Sequence, residues 1–195
     1  SRVGGRLEET GMTALYLSAI ERAVDAESIR RARLRLVVGY DEDYLQDVMN
    51  LISGSLGCTL KKTHAFQGAW AMAELADAVV AEGAGFGVLL DRNAERLALV
   101  NVRCESICDE DVLALICAAL LKSRAGGTVV VPVTAPGAIE KVAMGLHGRV
   151  VRSQANPRSM MEKAIEARVM MGEAGVPQFQ PMLDGLFALA VLLEQ

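Results

Sequence analysis

The sequence predicts an α/β fold that consists of two consecutive α/β/α sandwich domains. Three observations lead to this prediction: apolar runs of strand length alternate with segments of helical periodicity, a Gly pair at 126–127 separates two such series, and all five prolines lie after residue 131. Alternating strands and helices are typical of a parallel sheet covered by helices. Hydrophobic residues make up 52% of the 195 positions, which is ample for a packed core.

The first series begins with a helix near 13–24. Its clearest helix carries apolar residues at i, i+3, i+4, i+7 and i+11, followed by Gly57 as a stop signal. These residues are Leu45, Val48, Met49, Ile52 and Leu56. The other predicted elements are strands at 34–38, 58–63, 87–90 and 97–102, and helices at 70–81 and 109–122.

The second series follows the Gly pair and is shorter. It comprises strands at 128–133, 149–152 and near 168–171, and helices at 139–146, from Pro157 and from Asp184. We therefore expect residues 1–10 to be disordered, because they are polar and rich in glycine. Residues 11–124 and 125–195 are expected to form the first and second domains, with about four and three strands.

Composition excludes several classes of protein. A net charge of −4 and a sequence pI near 5.3 argue against a general nucleic-acid binder, because affinity for phosphates rests on an excess of Lys and Arg. No apolar stretch is long enough to span a membrane. The four cysteines lack zinc spacing and are expected to be reduced and mostly buried. The sequence thus indicates a cytoplasmic protein with neither nucleic acid nor membrane as partner.

Three oxygen-bearing side chains stand at alternate positions in the segment 91–96, Asp-Arg-Asn-Ala-Glu-Arg, between two predicted strands. They are Asp91, Asn93 and Glu95. Alternate positions in a tight loop can turn three side chains toward one ion, and Mg²⁺ prefers oxygen ligands. The same pattern also suits an ordinary polar turn, so both interpretations are open at this point.

The order of this loop and several other segments resembles the middle of the α-D-phosphohexomutases, the phosphomannomutase/phosphoglucomutase superfamily. In that family a strand ends in the metal loop D-G-D-[GA]-D-R, where this chain has Asp91 to Arg96. Further likeness lies at 24–38, 126–143, 148–164, 172–175 ("GEAG") and 179–194. The resemblance implies domains two and three of the family, with 11–124 as the metal-loop domain and 125–195 as the sugar-loop domain. It is nearest to a bacterial branch in which such regions are fused to a sugar nucleotidyltransferase domain.

The resemblance also implies a set of site residues. Asp91, Asn93 and Glu95 would hold Mg²⁺, although Asn93 brings no charge and Arg92 replaces a glycine. Arg96 would contact a phosphate, or else pair locally with Asp91 or Glu95. In the second domain Glu173 would bind sugar hydroxyls, or is an exposed loop residue. Asn156 and Arg158 would lie near the substrate, or form a plain helix start.

What the resemblance implies about function is phosphate transfer within a hexose phosphate. The family's first domain carries a phosphoserine loop of the T-A-S-H-N-P type, and no such loop occurs in these 195 residues. We therefore expect the chain to be an inactive fragment of a phosphomannomutase/phosphoglucomutase-like protein, completed by further domains of its parent. The alternative is a non-catalytic module that binds sugar phosphate, or that regulates or assembles a sugar nucleotidyltransferase.

Overall fold

The computed structural model describes residues 11–41, 43–63, 69–123, 126–167, 169 and 183–195. The first half contains helices α1 (Met12–Ala23), α2 (Ala26–Ala32), α3 (Asp43–Leu56), α4 (Ala69–Glu82) and α5 (Asp109–Ser123), and strands β1 (Arg35–Gly39), β2 (Thr59–Thr63), β3 (Phe86–Leu90), β4 (Leu97–Val100) and β5 (Ser106–Ile107). The second half contains β6 (Thr128–Pro132), α6 (Ala138–Gly145), β7 (Arg149–Ser153), α7 (Pro157–Glu166) and α8 (Gly185–Leu193). The predicted α/β fold class is confirmed.

Two separate sheets form the framework. The first has the order β2-β1-β3-β4-β5, in which β1 is parallel to β2 and β3, whereas β4 is antiparallel to β3 and β5. The second pairs β6 and β7 in parallel. The third strand predicted near 168–171 lies outside the described residues, apart from Val169.

Strand β1 is buried on both faces, which is why its sequence is a continuous apolar run. Leu36 and Val38 point into the cluster shared with α1 and α3, whereas Val37 points into the cluster beneath α4. Alternate side chains of a strand face opposite sides of the sheet, so β1 lies between two helical layers. The first sheet is thus the middle of an α/β/α sandwich.

Gly87 of β3 allows α4 to pack closely on the sheet. A Cβ at this position would lie 2.7 Å from a methyl group of Val79 and 2.8 Å from Cγ of Leu75. Helix α4 therefore approaches β3 more closely than any side chain larger than hydrogen permits.

Helix α8 belongs to an apolar cluster that includes residues from both halves of the structure. The first unit surrounds the sheet β2-β1-β3-β4-β5, and the second surrounds the sheet β6-β7. Almost all residues of α8 are buried, and the helix packs against α5 and β4. Its side chains belong to the apolar cluster that also contains Leu17, Val88 and Val130. A helix that is apolar on all sides must be covered on all sides. The closing helix therefore completes the core of the first unit as well as the second, while the boundary near residue 125 stays a prediction.

Several local features differ from the sequence-based expectations. The strand expected to reach residue 102 ends at Val100, and α2 and β5 were not predicted. Cys58 and Cys117 are buried as expected, but Cys104 and Cys108 are exposed. The segment 1–10 lies outside the described residues. In the part of the chain that the structure describes, none of the helices is both long and apolar enough to cross a membrane.

Candidate functional site

The loop between β3 and β4, residues 91–96, is a compact turn that closes an antiparallel pair. The Asp91 amide donates to the carbonyl of Arg96 (3.2 Å), and the Ala94 amide donates to the carbonyl of Asp91 (3.0 Å). Ala94 takes a left-handed conformation with φ of 53° and is 6% exposed. A non-glycine residue is uncommon in this conformation, so the loop is held by its surroundings.

The Asp91 carboxylate stabilises this turn from within. Its Oδ1 accepts the backbone N–H groups of Glu95 (2.8 Å) and Arg96 (3.1 Å). An aspartate that binds amides a few residues ahead is a standard way to fix a turn. One oxygen of the Asp91 carboxylate is therefore engaged by the protein itself.

These contacts decide whether the loop fits a magnesium ion. Mg²⁺ needs near-octahedral oxygen ligation and is usually held by carboxylates and phosphate. Asp91 has one oxygen committed to two amides, Asn93 is neutral, and Glu95 is exposed. No group of three or more His, Cys, Asp or Glu residues in the described ranges is placed to hold a metal. The donor set does not fit a resident Mg²⁺.

The next two residues of the loop form one wall of a cleft between the two units. Glu95 and Arg96 line a cavity of about 440 Å³ that Asn156 also lines. Asp109 from the first turn of α5 and Thr134 from the segment after β6 also line it. The structure thus brings together three of the residues that the sequence singled out, from positions far apart in the chain.

The titratable groups of the cleft have mixed sign. Among the described lining residues, Glu95 and Asp109 are acidic and Arg96 is basic. Within the described ranges Arg96 forms no ion pair with Asp91 or Glu95, so the alternative of a local pairing is not found there. A guanidinium can bind an anion, and carboxylates in the same cleft can accept hydrogen bonds from hydroxyl groups of the same ligand.

Asn156 caps helix α7 as well as lining the cleft. Its Oδ1 accepts the N–H of Ser159 at 2.9 Å, directly ahead of Pro157 at the first helical position. Arg158 lies outside the cleft lining: its Nε donates to Oε1 of Glu162 at 2.8 Å, and its side chain is 88% exposed. The structure therefore assigns a helix-capping contact to Asn156 and a surface ion pair to Arg158. Glu173, the remaining predicted site residue, lies outside the described residues.

Helix α8 contacts the same loop through its first residue. The Gly185 N–H donates to the carbonyl of Ala94 at 2.8 Å. Asp184 accepts the N–H of Phe187 at 2.9 Å and thereby caps the helix, and the hydroxyl of Tyr16 donates to the same carboxylate at 2.7 Å. Sequence reasoning missed this contact, and also the positions of Asp109 and Thr134, because residues distant along the chain meet there.

Burial controls the protonation of the Tyr16–Asp184 pair. Desolvation raises the pKa of Tyr16 well above its ordinary value, and the neighbouring Asp184 carboxylate raises it further. Desolvation also raises the pKa of Asp184, although the hydrogen bonds from Tyr16 and from the Phe187 amide oppose this. The pair is thus a partly dehydrated hydrogen bond at the start of α8.

Arg152 fixes the segment that leads from β6 to α6. Its guanidinium binds both oxygens of Glu140, at 2.8 and 2.9 Å, and donates to the carbonyls of Pro132, Val133 and Ala135. The hydrogen bond from Arg152 lowers the pKa of Glu140. Thr134 lies between Val133 and Ala135, so the hydrogen bonds from Arg152 to these two carbonyls fix its position in the cleft wall.

No protein-family model matches the chain. The chain is 33% identical over 125 residues to a "Probable phosphoglucosamine mutase" of Pyrococcus abyssi. The match covers 62% of this chain and 28% of that relative. The chain is also 23% identical to the phosphoglucomutase/phosphomannomutase of Thermococcus kodakarensis. That match covers 97% of this chain and 45% of the relative. The chain therefore spans less than half the length of either curated relative.

Solved structures give the same picture of the fold. A phosphoglucomutase/phosphomannomutase family protein of Burkholderia thailandensis superposes with a TM-score of 0.72, covering 93% of this chain and 43% of that one at 17% identity. At this identity the likeness shows the fold alone. The chain is thus similar in sequence to two curated mutases and in fold to a phosphoglucomutase/phosphomannomutase family protein, so this superfamily is the group that it resembles.

Proposed function

We propose that the chain supplies the metal-loop and sugar-loop portion of a phosphohexomutase-like protein and that its cleft binds a hexose phosphate. The observation that carries the proposal is the meeting of Glu95 and Arg96 with Asn156 around one cavity of about 440 Å³. These residues come from different units, and the family resemblance implies a site residue at each. The volume lies within the usual range for small-molecule sites.

The charges of the cleft support a sugar phosphate over a bare anion. Arg96 offers a planar pair of N–H donors that matches two phosphate oxygens. Glu95 and Asp109 would repel a second anionic group, but they are good acceptors for hydroxyl groups. A ligand with phosphate at one end and several hydroxyls at the other satisfies both kinds of side chain.

Phosphate transfer itself needs a covalent donor that these residues do not provide. The 195 residues contain no serine loop of the T-A-S-H-N-P type. A relay through a phosphoserine cannot run without its nucleophile. We therefore expect the purified chain to show no interconversion of glucose 1- and 6-phosphate, and turnover that survives re-purification would contradict this.

A non-catalytic role is the second candidate, and one observation favours it. One oxygen of the Asp91 carboxylate, Oδ1, already accepts two backbone amides. On this view the module binds sugar phosphate, or regulates or assembles a sugar nucleotidyltransferase joined to it. A phosphoserine loop elsewhere in the parent polypeptide would favour the catalytic candidate instead. The catalytic candidate and the sugar-phosphate-binding form of the second candidate both require the cleft to bind its ligand, whereas a purely regulatory or assembly role does not.

Isothermal titration of glucose 1-phosphate into the chain tests the shared claim. We expect saturable binding that Arg96→Ala weakens by about tenfold to a hundredfold, the usual loss for hydrogen bonds to a charged group. Arg103→Ala is the matched control, because Arg103 is exposed in the turn at the far end of β4. Glucose alone and inorganic phosphate should bind more weakly. Absence of binding, or equal losses in the two arginine variants, would contradict the proposal.

A further inference from the structure

The start of helix α8 lies against the backbone of the loop that forms the cleft wall. Besides the hydrogen bond from Gly185 N–H to the Ala94 carbonyl (2.8 Å), the Gly185 Cα faces this loop with no room for a side chain. A Cβ at position 185 would lie 2.9 Å from the Ala94 oxygen and 3.1 Å from both the carbonyl carbon and oxygen of Arg96. All three atoms belong to backbone, so they cannot move aside by a simple side-chain rotation.

The helix start is itself held in place. Asp184 caps α8 through the Phe187 amide and is bound by the Tyr16 hydroxyl of α1. The following residues of α8 are buried in the core cluster, including Phe187 at 1% exposure. Because the start of α8 cannot shift freely, strain at position 185 would be transmitted to the loop.

The loop residues concerned are the ones that reach the cleft. Ala94 is buried in a left-handed conformation, and the two residues after it, Glu95 and Arg96, line the cavity. Leu183, just ahead of the α8 cap, lines it too. The loop is therefore held from one side by the Asp91 carboxylate and from the other by Gly185.

We propose that Gly185 is a positioning residue for the ligand-binding cleft, since its close approach sets the backbone of residues 94–96 and with it the place of Glu95 and Arg96. Only the identity of the ligand rests on the proposed function. The effect of Gly185 on the backbone of residues 94–96 is independent of it. Relieving a 2.9 Å contact to an ordinary separation requires a shift of about 0.5 Å, and binding geometry must be held within about that distance.

The test compares Gly185→Ala with Gly54→Ala, which lies in α3 with nothing within 4 Å of the added Cβ. Two quantities are measured on the full chain: the amide resonances of residues 94–96 in ¹⁵N-labelled protein, and the affinity for glucose 1-phosphate. Far-UV circular dichroism confirms that each variant is folded. We expect Gly185→Ala to move these resonances and weaken binding by about tenfold. Gly54→Ala should change neither.

Each other outcome also decides the matter. Unmoved resonances in a folded Gly185→Ala protein, or moved resonances with unchanged affinity, would overturn the inference. If Gly185→Ala does not fold, Tyr16→Phe replaces it, because loss of the hydroxyl loosens the α8 cap without adding bulk. The same resonances should then move by a smaller amount, and their failure to move would overturn the inference. If the wild-type chain binds no glucose 1-phosphate, the proposed function fails, and the resonances alone decide whether Gly185 sets the loop.

Discussion

The Tyr16 hydroxyl donates a 2.7 Å hydrogen bond to the Asp184 carboxylate, which joins the first helix of the described chain to the cap of the last. Both groups are partly buried, and burial raises the pKa of each. The contact lies one residue from the backbone that holds the cleft loop. The stability of the chain and the geometry of its cleft therefore depend on the same few contacts.

The first prediction concerns the pH dependence of stability. The folded pKa of Asp184 is raised, so its contribution to stability is fully present below the ordinary aspartate pKa of about 4 and is lost as pH rises through the folded value. Asp184→Asn keeps an oxygen acceptor but does not titrate. We expect the free energy of unfolding of Asp184→Asn, relative to wild type, to increase between pH 4 and pH 7 in urea titrations.

The matched variant is Asp184→Ala, which removes the helix cap at every pH. Its free energy of unfolding should be lower than that of wild type by about 1 kcal/mol, the usual cost of an N-cap deletion. The loss should be somewhat larger because the Tyr16 hydroxyl also loses this acceptor. The prediction is wrong if the difference in unfolding free energy between wild type and Asp184→Asn stays constant from pH 4 to pH 7. The pKa of the Asp184 carboxyl would then not be raised in the folded chain.

The second prediction concerns the packing of α4 on β3. Gly87→Ala should lower the free energy of unfolding by about 1–3 kcal/mol, because the new Cβ overlaps Val79 and Leu75. Gly137→Ala is the control, since no atom lies within 4 Å of its added Cβ and its φ of −66° suits alanine. Chemical denaturation measures both. An equal change in the two variants would contradict the close packing at Gly87.

The third prediction concerns a buried hydroxyl at the end of β7. Ser153 is 4% exposed, and its Oγ has no hydrogen-bond partner among the described residues. A buried polar atom without a partner costs free energy, so removing it costs little. We expect Ser153→Ala to leave the unfolding free energy unchanged or to raise it by up to about 1 kcal/mol. A clear loss of stability in thermal or chemical unfolding would mean that the hydroxyl has a partner.

The fourth prediction concerns magnesium. Because one Asp91 oxygen is engaged by two amides and Asn93 carries no charge, we expect no saturable Mg²⁺ binding below millimolar concentration in calorimetry. Asp91→Asn is the informative variant, since it keeps the oxygen that accepts the amides but removes the charge. Submillimolar binding that this variant abolishes would show that the loop is a working metal site.

The fold was predictable from the sequence wherever local pattern determines structure. The apolar stripe identified α3, and the stop signal at Gly57, which has a φ of +64°, correctly placed its end. The strand after the loop ends early because the Asn101 side chain accepts the amides of Arg103 and Glu105 and turns the chain. Helix α2 was missed because it is only seven residues long and depends on its Asp25 cap.

The candidate site was predictable only in part. The strand-loop-strand pattern indicated the position of residues 91–96, and the resemblance indicated the turn at Asn156. Which lone pairs of Asp91 are free depends on how the loop folds, which periodicity does not reveal. The contact of Gly185 with Ala94 joins residues far apart in sequence, and no local pattern predicts it.

The central claim is that the cleft between the two units binds a hexose phosphate through Arg96, and amide mapping tests it most directly. Glucose 1-phosphate is titrated into the ¹⁵N-labelled chain while the backbone resonances are followed. We predict saturable shifts concentrated at Glu95, Arg96, Asp109, Thr134 and Asn156, which surround the cavity. Shifts that do not saturate, or that saturate at residues away from this cleft, would contradict the account.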